Sequence, residues 1–195
     1  MKRLIVIIVI ILNMSVQAQS DLLVDSRDGK EYKTIQIGSK TWMAENLDYR
    51  PSLTFFGNVQ DYSKANYYCY NNDTTNCDKY GVLYDIDALK NACPVGWHVP
   101  SKSEFDTLLK SFEGNRKKAF SGIIVGGTLG FDASLGGYFN RRGYCEDINK
   151  IGQYWSSTQE NKYHFTSLMV NKVISTAYIS NELNSCALSV RCVKD

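Results

Sequence analysis

The residue types best suited to ligand contact occur together between Gly136 and Thr158. Aromatic rings and arginines are enriched at binding hot spots, so their mixture indicates recognition rather than bond chemistry. The alternative is that these side chains fill gaps in the core and between loops. The candidate ligand-binding residues are Tyr138, Asn140, Arg141, Arg142 and Trp155.

A second set of aromatic residues precedes this region. Four tyrosines fall within nine residues, and their rings could stack on sugar rings. Packing of the same rings in the core is the competing interpretation. These residues are Tyr62, Tyr67, Tyr68 and Tyr70.

A catalytic constellation is not evident. His98 and His164 are the only histidines, which leaves few parts for a metal site or a histidine-based triad. The glycines between 122 and 130 are not followed by Gly-Lys-Ser/Thr, so they do not form a phosphate-binding loop. The carboxylates at 85, 87, 146 and 147 have no evident pairing and are interpreted as ordinary surface residues. We therefore expect a protein that is not an enzyme and carries no cofactor.

One segment leaves open the question of whether the protein binds calcium. Residues 71–76 read Asn-Asn-Asp-Thr-Thr-Asn and supply the oxygen ligands that a hard cation prefers. The same residues are typical of Asx turns, which explain the segment equally well.

The chain has six cysteines, and in an exported protein six cysteines suggest three disulfides. Fifteen pairings are possible, and the sequence alone does not choose among them. Cys69 and Cys77 flank a short polar loop and form the natural local pair. Cys93 and Cys192 could close most of the C-terminal half, with Cys145–Cys186 nested inside.

Residues 1–18 have the features of a secretory signal peptide. Lys2 and Arg3 are followed by an apolar run from Leu4 to Leu12 and a small-residue cleavage site ending at Ala18. No later stretch is apolar enough to cross a bilayer. We expect export to the periplasm, the cell surface or the medium, with residues 19–195 forming a single domain.

The charge argues against nucleic acid as a partner. The sequence has 22 Lys and Arg against 20 Asp and Glu, and Lys2 and Arg3 leave with the signal. The mature protein is therefore close to neutral and has no cationic footprint of the kind that phosphate backbones require. The longest basic cluster, residues 116–118, is interpreted as a solvated helix end or loop.

Local patterns predict a mixed α+β domain. Residues 25–46 carry turn pairs and apolar residues typical of a β-hairpin unit. Ser101 and Glu104 form a capping box that opens a helix reaching about Phe112, and a first helix is expected over 82–92. The expected C-terminal strands are 154–155, 163–170, 173–179 and 188–193.

Taken in order, these segments resemble the Fibrobacter succinogenes major paralogous domain family, which has no established activity. The resemblance covers essentially all of the mature chain. It rests on the motifs at 25–30, 37–38, 42–47, 69–77, 80–84, 93–105, 135–138, 154–158 and 189–195.

A more distant resemblance concerns the fold. A cysteine ending a first helix, the strand Gly96-Trp97-His98-Val99 and the Ser101–Phe105 helix start are similar to C-type lectin-like domains and to sulfatase-modifying (formylglycine-generating) enzymes. The resemblance implies two helices on a mainly antiparallel sheet. It also implies Cys93–Cys192 as the framework bridge and Cys145–Cys186 as the inner one.

In lectin-like folds the long loops before the last strands form the ligand face. The Glu-Pro-Asn, Gln-Pro-Asp and Trp-Asn-Asp triplets of calcium-dependent sugar binding are absent, so that site is not expected. The leading hypothesis is a secreted, non-catalytic binding or adhesion module for an extracellular polysaccharide or protein surface. The alternatives are a formylglycine-generating-type enzyme, with copper on Cys186 and Cys192, and a structural subunit of a surface assembly.

Overall fold

The computed structural model of the protein describes residues 21–54 and 65–195. The expected signal peptide at 1–18 and the tyrosine at position 62 lie outside these residues. Over the two described ranges, no helix combines the length and the apolar character needed to cross a membrane.

In the described ranges most of the regular structure is β-strand, and the named strands pair with one another in antiparallel fashion. The strands are β1 (Leu22–Val24), β2 (Glu31–Ile37), β3 (Lys40–Met43), β4 (Tyr67–Tyr68), β5 (Leu83–Tyr84), β6 (Trp97–His98), β7 (Tyr138–Phe139), β8 (Cys145–Glu146), β9 (Ile151–Asn161), β10 (His164–Asn171), β11 (Thr176–Leu183) and β12 (Val193–Lys194).

The helices are short and begin at polar caps. Asp73, Asp85, Ser101 and Asn115 each accept a hydrogen bond from a backbone N–H in the first turn of the helix that follows. The helices are α1 (Thr74–Tyr80), α2 (Ile86–Leu89), α3 (Lys102–Lys110) and α4 (Arg116–Ile123), with a 3-10 turn at Tyr70–Asn72.

The strands form two main sheets. A five-stranded sheet has the order β1-β2-β3-β12-β6, and a three-stranded sheet has the order β11-β10-β9. Helices α3 and α4 pack on the three-stranded sheet through Phe105, Leu108 and Ile123, which are buried with Leu168 and Val170. The mixed α/β composition and the antiparallel pairing agree with the sequence prediction.

The predicted hairpin and the predicted capping box are both present. Strands β2 and β3 pair across the Gly38-Ser39 turn. The Ser101 hydroxyl accepts from the Glu104 backbone N–H, and the Glu104 carboxylate accepts from the Ser101 backbone N–H. These features depend on neighbours close in sequence, which is why the sequence reveals them.

The helix prediction for residues 82–92 is wrong in extent. Leu83 and Tyr84 pair with β4 as a strand, and α2 is a single turn that starts only after its cap, Asp85. The basic cluster at 116–118 is an exposed helix end, as the sequence predicts. It is the first turn of α4, capped by Asn115.

Two of the three expected disulfides are present. Cys69 bonds to Cys77 across eight residues and Cys93 to Cys192 across 99. The third expected bridge is absent, and Cys145 and Cys186 are free thiols.

The path of strand β7 explains the two free thiols. Phe139 pairs with Cys145 on one side and with Ala187 on the other, so β7 runs between the two segments. Opposed residues point to one face of a sheet and successive residues to opposite faces. Cys145 therefore shares the apolar cluster of Phe139 and Ala187, whereas Cys186 belongs to another.

A fully buried arginine connects the segment before β12 to the loop after α4. Arg191 is 1% exposed. Its guanidinium donates to Asn46 Oδ1 at 2.9 Å, to Asp132 O at 2.6 Å and to the carbonyl of Phe131. Burial lowers its pKa. Because all three acceptors are neutral, this arginine serves as a structural cross-link rather than half of an ion pair.

Candidate functional site

The structure brings four of the five candidate ligand-binding residues together on one hairpin. Tyr138 lies in β7, and Asn140, Arg141 and Arg142 form the loop that leads toward β8. Tyr138 pairs with Glu146 across the ladder, so the loop projects beyond a closed two-stranded base. We call residues 138–146 the ligand hairpin.

Asn140 holds the loop of the ligand hairpin in one conformation. Its side-chain oxygen accepts from the backbone N–H groups of Arg142 at 2.8 Å and Tyr144 at 3.1 Å. Its backbone N–H donates to Tyr144 O at 2.8 Å, and its carbonyl accepts from Gly143 N at 3.0 Å. A side chain that satisfies the loop in this way stabilises the turn without contributing a contact surface.

Glu146 ties the base of the ligand hairpin to its loop. One carboxylate oxygen accepts from the Tyr138 hydroxyl at 2.9 Å and the other from Asn140 Nδ2 at 2.7 Å. Burial raises the pKa of Tyr138, and the bond to Glu146 raises it further, so the hydroxyl stays protonated as a donor. Tyr138, Asn140 and Glu146 therefore form the frame of the hairpin.

The groups left for contact are at the tip. Arg141 and Arg142 are exposed, and the ring of Tyr144 is 65% exposed. Among the described residues neither guanidinium forms an ion pair or lies over an aromatic ring. Two unpaired cations and an aromatic ring on a fixed turn make a surface suited to an anionic ligand.

Trp155 does not join this group. It is fully buried, its Nε1 donates to Tyr84 O at 2.7 Å, and its ring packs edge-on against Phe165 at 6.2 Å. A tryptophan in this setting is a core residue that satisfies one backbone carbonyl.

The expected tyrosine patch is also mostly core. Tyr67 and Tyr68 are buried, and Tyr68 stacks on Phe139 with ring centres 4.5 Å apart. Tyr70 is half-buried. The ring of Phe139 in strand β7 is therefore held by its stacking on Tyr68, which adds to the rigidity of the ligand hairpin.

The two free cysteines are not poised for reaction. Burial raises the pKa of Cys145 and of Cys186 to about 11. The thiolate is the nucleophile and the metal ligand, so both groups are held in their unreactive form at neutral pH. The cysteine pair expected for copper is divided, because Cys192 is bonded to Cys93 while Cys186 is free.

The segment considered for calcium serves as a helix cap. The Asp73 carboxylate accepts from the Thr75 backbone N–H at 2.9 Å and from its hydroxyl at 2.7 Å. Asn76 Nδ2 donates to Tyr70 O at 3.0 Å. No group of three His, Cys, Asp or Glu side chains in the described ranges is placed to hold a metal ion.

Two residues of the candidate site lie outside the set that the sequence predicts. Tyr144 is the exposed ring at the tip, and Glu146 is the carboxylate that orders the loop rather than an ordinary surface acid. The signal available for Glu146 is its spacing, eight residues from Tyr138 across a glycine-containing loop, which suits cross-strand partners.

Comparison with known families agrees with this arrangement of segments. The family model of the Fibrobacter succinogenes major domain matches residues 35–194, which include the ligand hairpin and both disulfides. The chain belongs to this family. No curated protein and no solved structure matches it.

Proposed function

We propose that the protein is an exported, non-catalytic binding module that recognises an acidic extracellular polysaccharide through the tip of the ligand hairpin. The observation that carries the proposal is the pair Arg141 and Arg142, exposed and unpaired on a turn fixed by Asn140. Guanidinium groups match carboxylates and sulfates in shape and charge, and Tyr144 offers a ring on which a sugar can stack.

Rigidity favours this function over a general role as a charged surface. A ligand that meets a fixed pair of cations does not have to order the loop on binding, which lowers the entropic cost of association. The framework bridge Cys93–Cys192 and the position of the hairpin before the last strands support placing the fold among C-type lectin-like domains. In that proposal the ligand hairpin occupies the ligand face.

The test is binding of the mature protein to polygalacturonate and to alginate, measured by affinity electrophoresis and by calorimetry. We expect Arg141→Ala/Arg142→Ala to weaken binding roughly tenfold, because charge-assisted contacts at a binding surface have effects of this order. The matched control, Lys117→Ala/Lys172→Ala, removes the same charge from exposed positions elsewhere. Salt should weaken binding of the native protein and of the control.

Equal loss in the two double variants would show that net charge alone drives binding, which contradicts the proposal. Unchanged binding by Arg141→Ala/Arg142→Ala would also contradict it. Binding to acidic proteins in the absence of binding to either polysaccharide would replace the polysaccharide with a protein partner.

A further inference from the structure

A second possible binding site lies away from the ligand hairpin, in a cavity of about 450 Å³ between α2, β6 and the paired strands β9 and β10. This volume falls within the range of small-molecule sites. Trp97 and Phe165 line it as half-buried aromatic rings. The remaining lining residues are Ile86, Leu89, Lys90, Cys93, His98, Val99 and Ser157.

The walls of the cavity are held in place by specific contacts. Phe165 is backed by the buried ring of Trp155, and the Ser157 backbone N–H donates to Pro100 O at 2.8 Å, which joins β9 to the segment after β6. Cys93 in the wall is bonded to Cys192. Its walls therefore come from elements held by the core and by a disulfide.

The charged groups at the rim are already engaged. Lys90 Nζ lies 2.6 Å from Asp87 Oδ1. The two ring nitrogens of His98 lie 3.0 Å from Glu104 Oε1 and 2.5 Å from Asp195 Oδ1. No free cation faces the cavity from the described part of the chain, so a charged ligand has no partner here. The engaged His98 and the bonded Cys93 also leave no base or nucleophile.

Two of the lining residues carry uncharged hydrogen-bonding groups. Trp97 Nε1 and Ser157 Oγ each lack a hydrogen-bond partner within residues 21–54 and 65–195, in contrast to Trp155 Nε1, which donates to Tyr84 O. The cavity thus combines flat apolar rings with two uncharged polar groups. A pyranose ring has the matching chemistry, with C–H groups on its faces and hydroxyls around its edge.

We infer that this cavity binds one neutral pyranose residue of a polysaccharide, with its C–H face against Trp97 and a hydroxyl hydrogen-bonded to Ser157. The inference is independent of the ligand hairpin, which is cationic and exposed. It assigns the protein a site for a neutral sugar in addition to one for an acidic group.

The experiment uses ¹⁵N-labelled mature protein titrated with cellohexaose, xylohexaose, mannohexaose and chitohexaose. The three tryptophans give three indole N–H signals. We expect at least one hexasaccharide to shift the Trp97 signal, while the buried Trp42 and Trp155 signals stay in place. Trp97→Leu should weaken that binding roughly tenfold or more, and Ser157→Ala by a smaller factor.

Tyr163→Leu is the matched control, because Tyr163 is an exposed aromatic residue outside the cavity. It should bind the hexasaccharide like the native protein. Thermal melts and thiol counts of each variant confirm that the fold is intact, and Trp97→Phe provides a milder version if Trp97→Leu fails to fold. Retained binding by Trp97→Phe with loss in Ser157→Ala supports the inference.

Three outcomes would overturn it. One is the absence of a Trp97 shift with all four hexasaccharides. Another is unchanged binding by Trp97→Leu, and the third is an uncharged apolar probe such as N-phenyl-1-naphthylamine that occupies the cavity and is displaced by none of the sugars. Failure of polygalacturonate binding alone would contradict only the proposal for the ligand hairpin.

Discussion

The Nε2 atom of His98 lies 3.0 Å from Oε1 of Glu104, which joins strand β6 to the first turn of helix α3. The other oxygen of the same carboxylate accepts from the Ser101 backbone N–H at 2.8 Å and from its hydroxyl at 2.9 Å. Glu104 therefore closes the capping box and connects an edge strand of the five-stranded sheet to a helix that packs on the three-stranded one.

Replacing Glu104 should separate these two roles. Glu104→Ala removes the capping box and the contact with His98, and we expect it to lower the free energy of unfolding by about 1–2 kcal/mol. Glu104→Gln keeps a capping acceptor and loses only the charge, so its effect should be smaller. Urea denaturation of both variants measures the difference, and equal losses would show that the capping bond contributes little.

The same carboxylate should make stability fall in acid. Burial by itself raises the pKa of Glu104, but the hydrogen bonds from Ser101 and His98 outweigh it, and the pKa in the folded state is below the usual value. A group with a lowered folded-state pKa stabilises the protein above its unfolded-state pKa, about 4.3 for glutamate. That contribution is lost as the pH falls through the folded-state value. Chemical denaturation between pH 6 and pH 3 should show a shallower fall for Glu104→Gln than for the native protein.

Gly81 should be intolerant of any side chain. It follows α1 at φ 78° and ψ 178°, a conformation essentially reserved for glycine. A Cβ there would lie 2.7 Å from both Asn46 Cβ and Leu47 O. We expect Gly81→Ala to cost about 3 kcal/mol or more.

Gly29 is the matched control for Gly81. It has φ 77°, but a Cβ at this position would meet no atom within 4 Å. Gly29→Ala should therefore cost only the backbone strain, about 1 kcal/mol. Similar melting temperatures for the two variants would contradict a steric role for Gly81.

The cysteines should give a defined labelling pattern. Alkylation in denaturant without reductant should label two cysteines, and alkylation after reduction should label six. In the native protein the two thiols should react slowly, because their pKa values are raised to about 11. The absence of any label before reduction would show that a third disulfide forms.

The two disulfides should differ in their contributions. Chain-entropy arguments give about 4–5 kcal/mol for the loop of 99 residues closed by Cys93 and Cys192, and about 2–3 kcal/mol for the loop of eight closed by Cys69 and Cys77. Double alanine variants of each pair, compared by thermal unfolding, test this order. A reversed order would show that packing around each disulfide in the native state affects the free energy of unfolding more than loop entropy does.

Asn140→Ala should weaken binding at the ligand hairpin without removing a contact group. The substitution frees the backbone N–H groups of Arg142 and Tyr144 from the side chain that orders them. We expect a loss of affinity for polygalacturonate of roughly threefold to tenfold, in line with the cost of ordering side chains and a loop on binding. The melting temperature should change little, and Asn140→Asp should lose affinity as well, because it replaces the Nδ2 donor to Glu146 Oε1 with a second carboxylate oxygen.

Local features are the part of the fold that the sequence predicts. The β2–β3 hairpin and the Ser101–Glu104 capping box depend on neighbours within a few residues. Leu83 stands at helical spacing from Ile86 and Leu89 but forms a strand with Tyr84, because both pair with Tyr67 and Tyr68. Pairing of this kind is set by the whole fold and overrides local propensity.

The candidate site shows the same division. Residue type alone identifies Arg141 and Arg142, and the structure places both in solvent. Residue type does not distinguish Tyr138 and Asn140, which build the hairpin, from the residues that extend from it. The burial of Trp155 and the separation of the two free cysteines by strand β7 depend on the fold. Composition does not predict either of them.

The position of β12 determines when the five-stranded sheet can close. Residues 193–194 lie between β3 and β6, so the edge strand β6 is joined to the rest of the five-stranded sheet by a segment some 150 residues beyond β3 in the sequence. A nascent chain that has not yet reached this segment contains β1, β2, β3 and β6 but lacks the strand that pairs with both β3 and β6. Completion of this sheet is therefore a late, long-range event, and slow closure is the expected kinetic signature of such non-local pairing. We therefore expect the last contacts of the five-stranded sheet to form only after synthesis has passed residue 194.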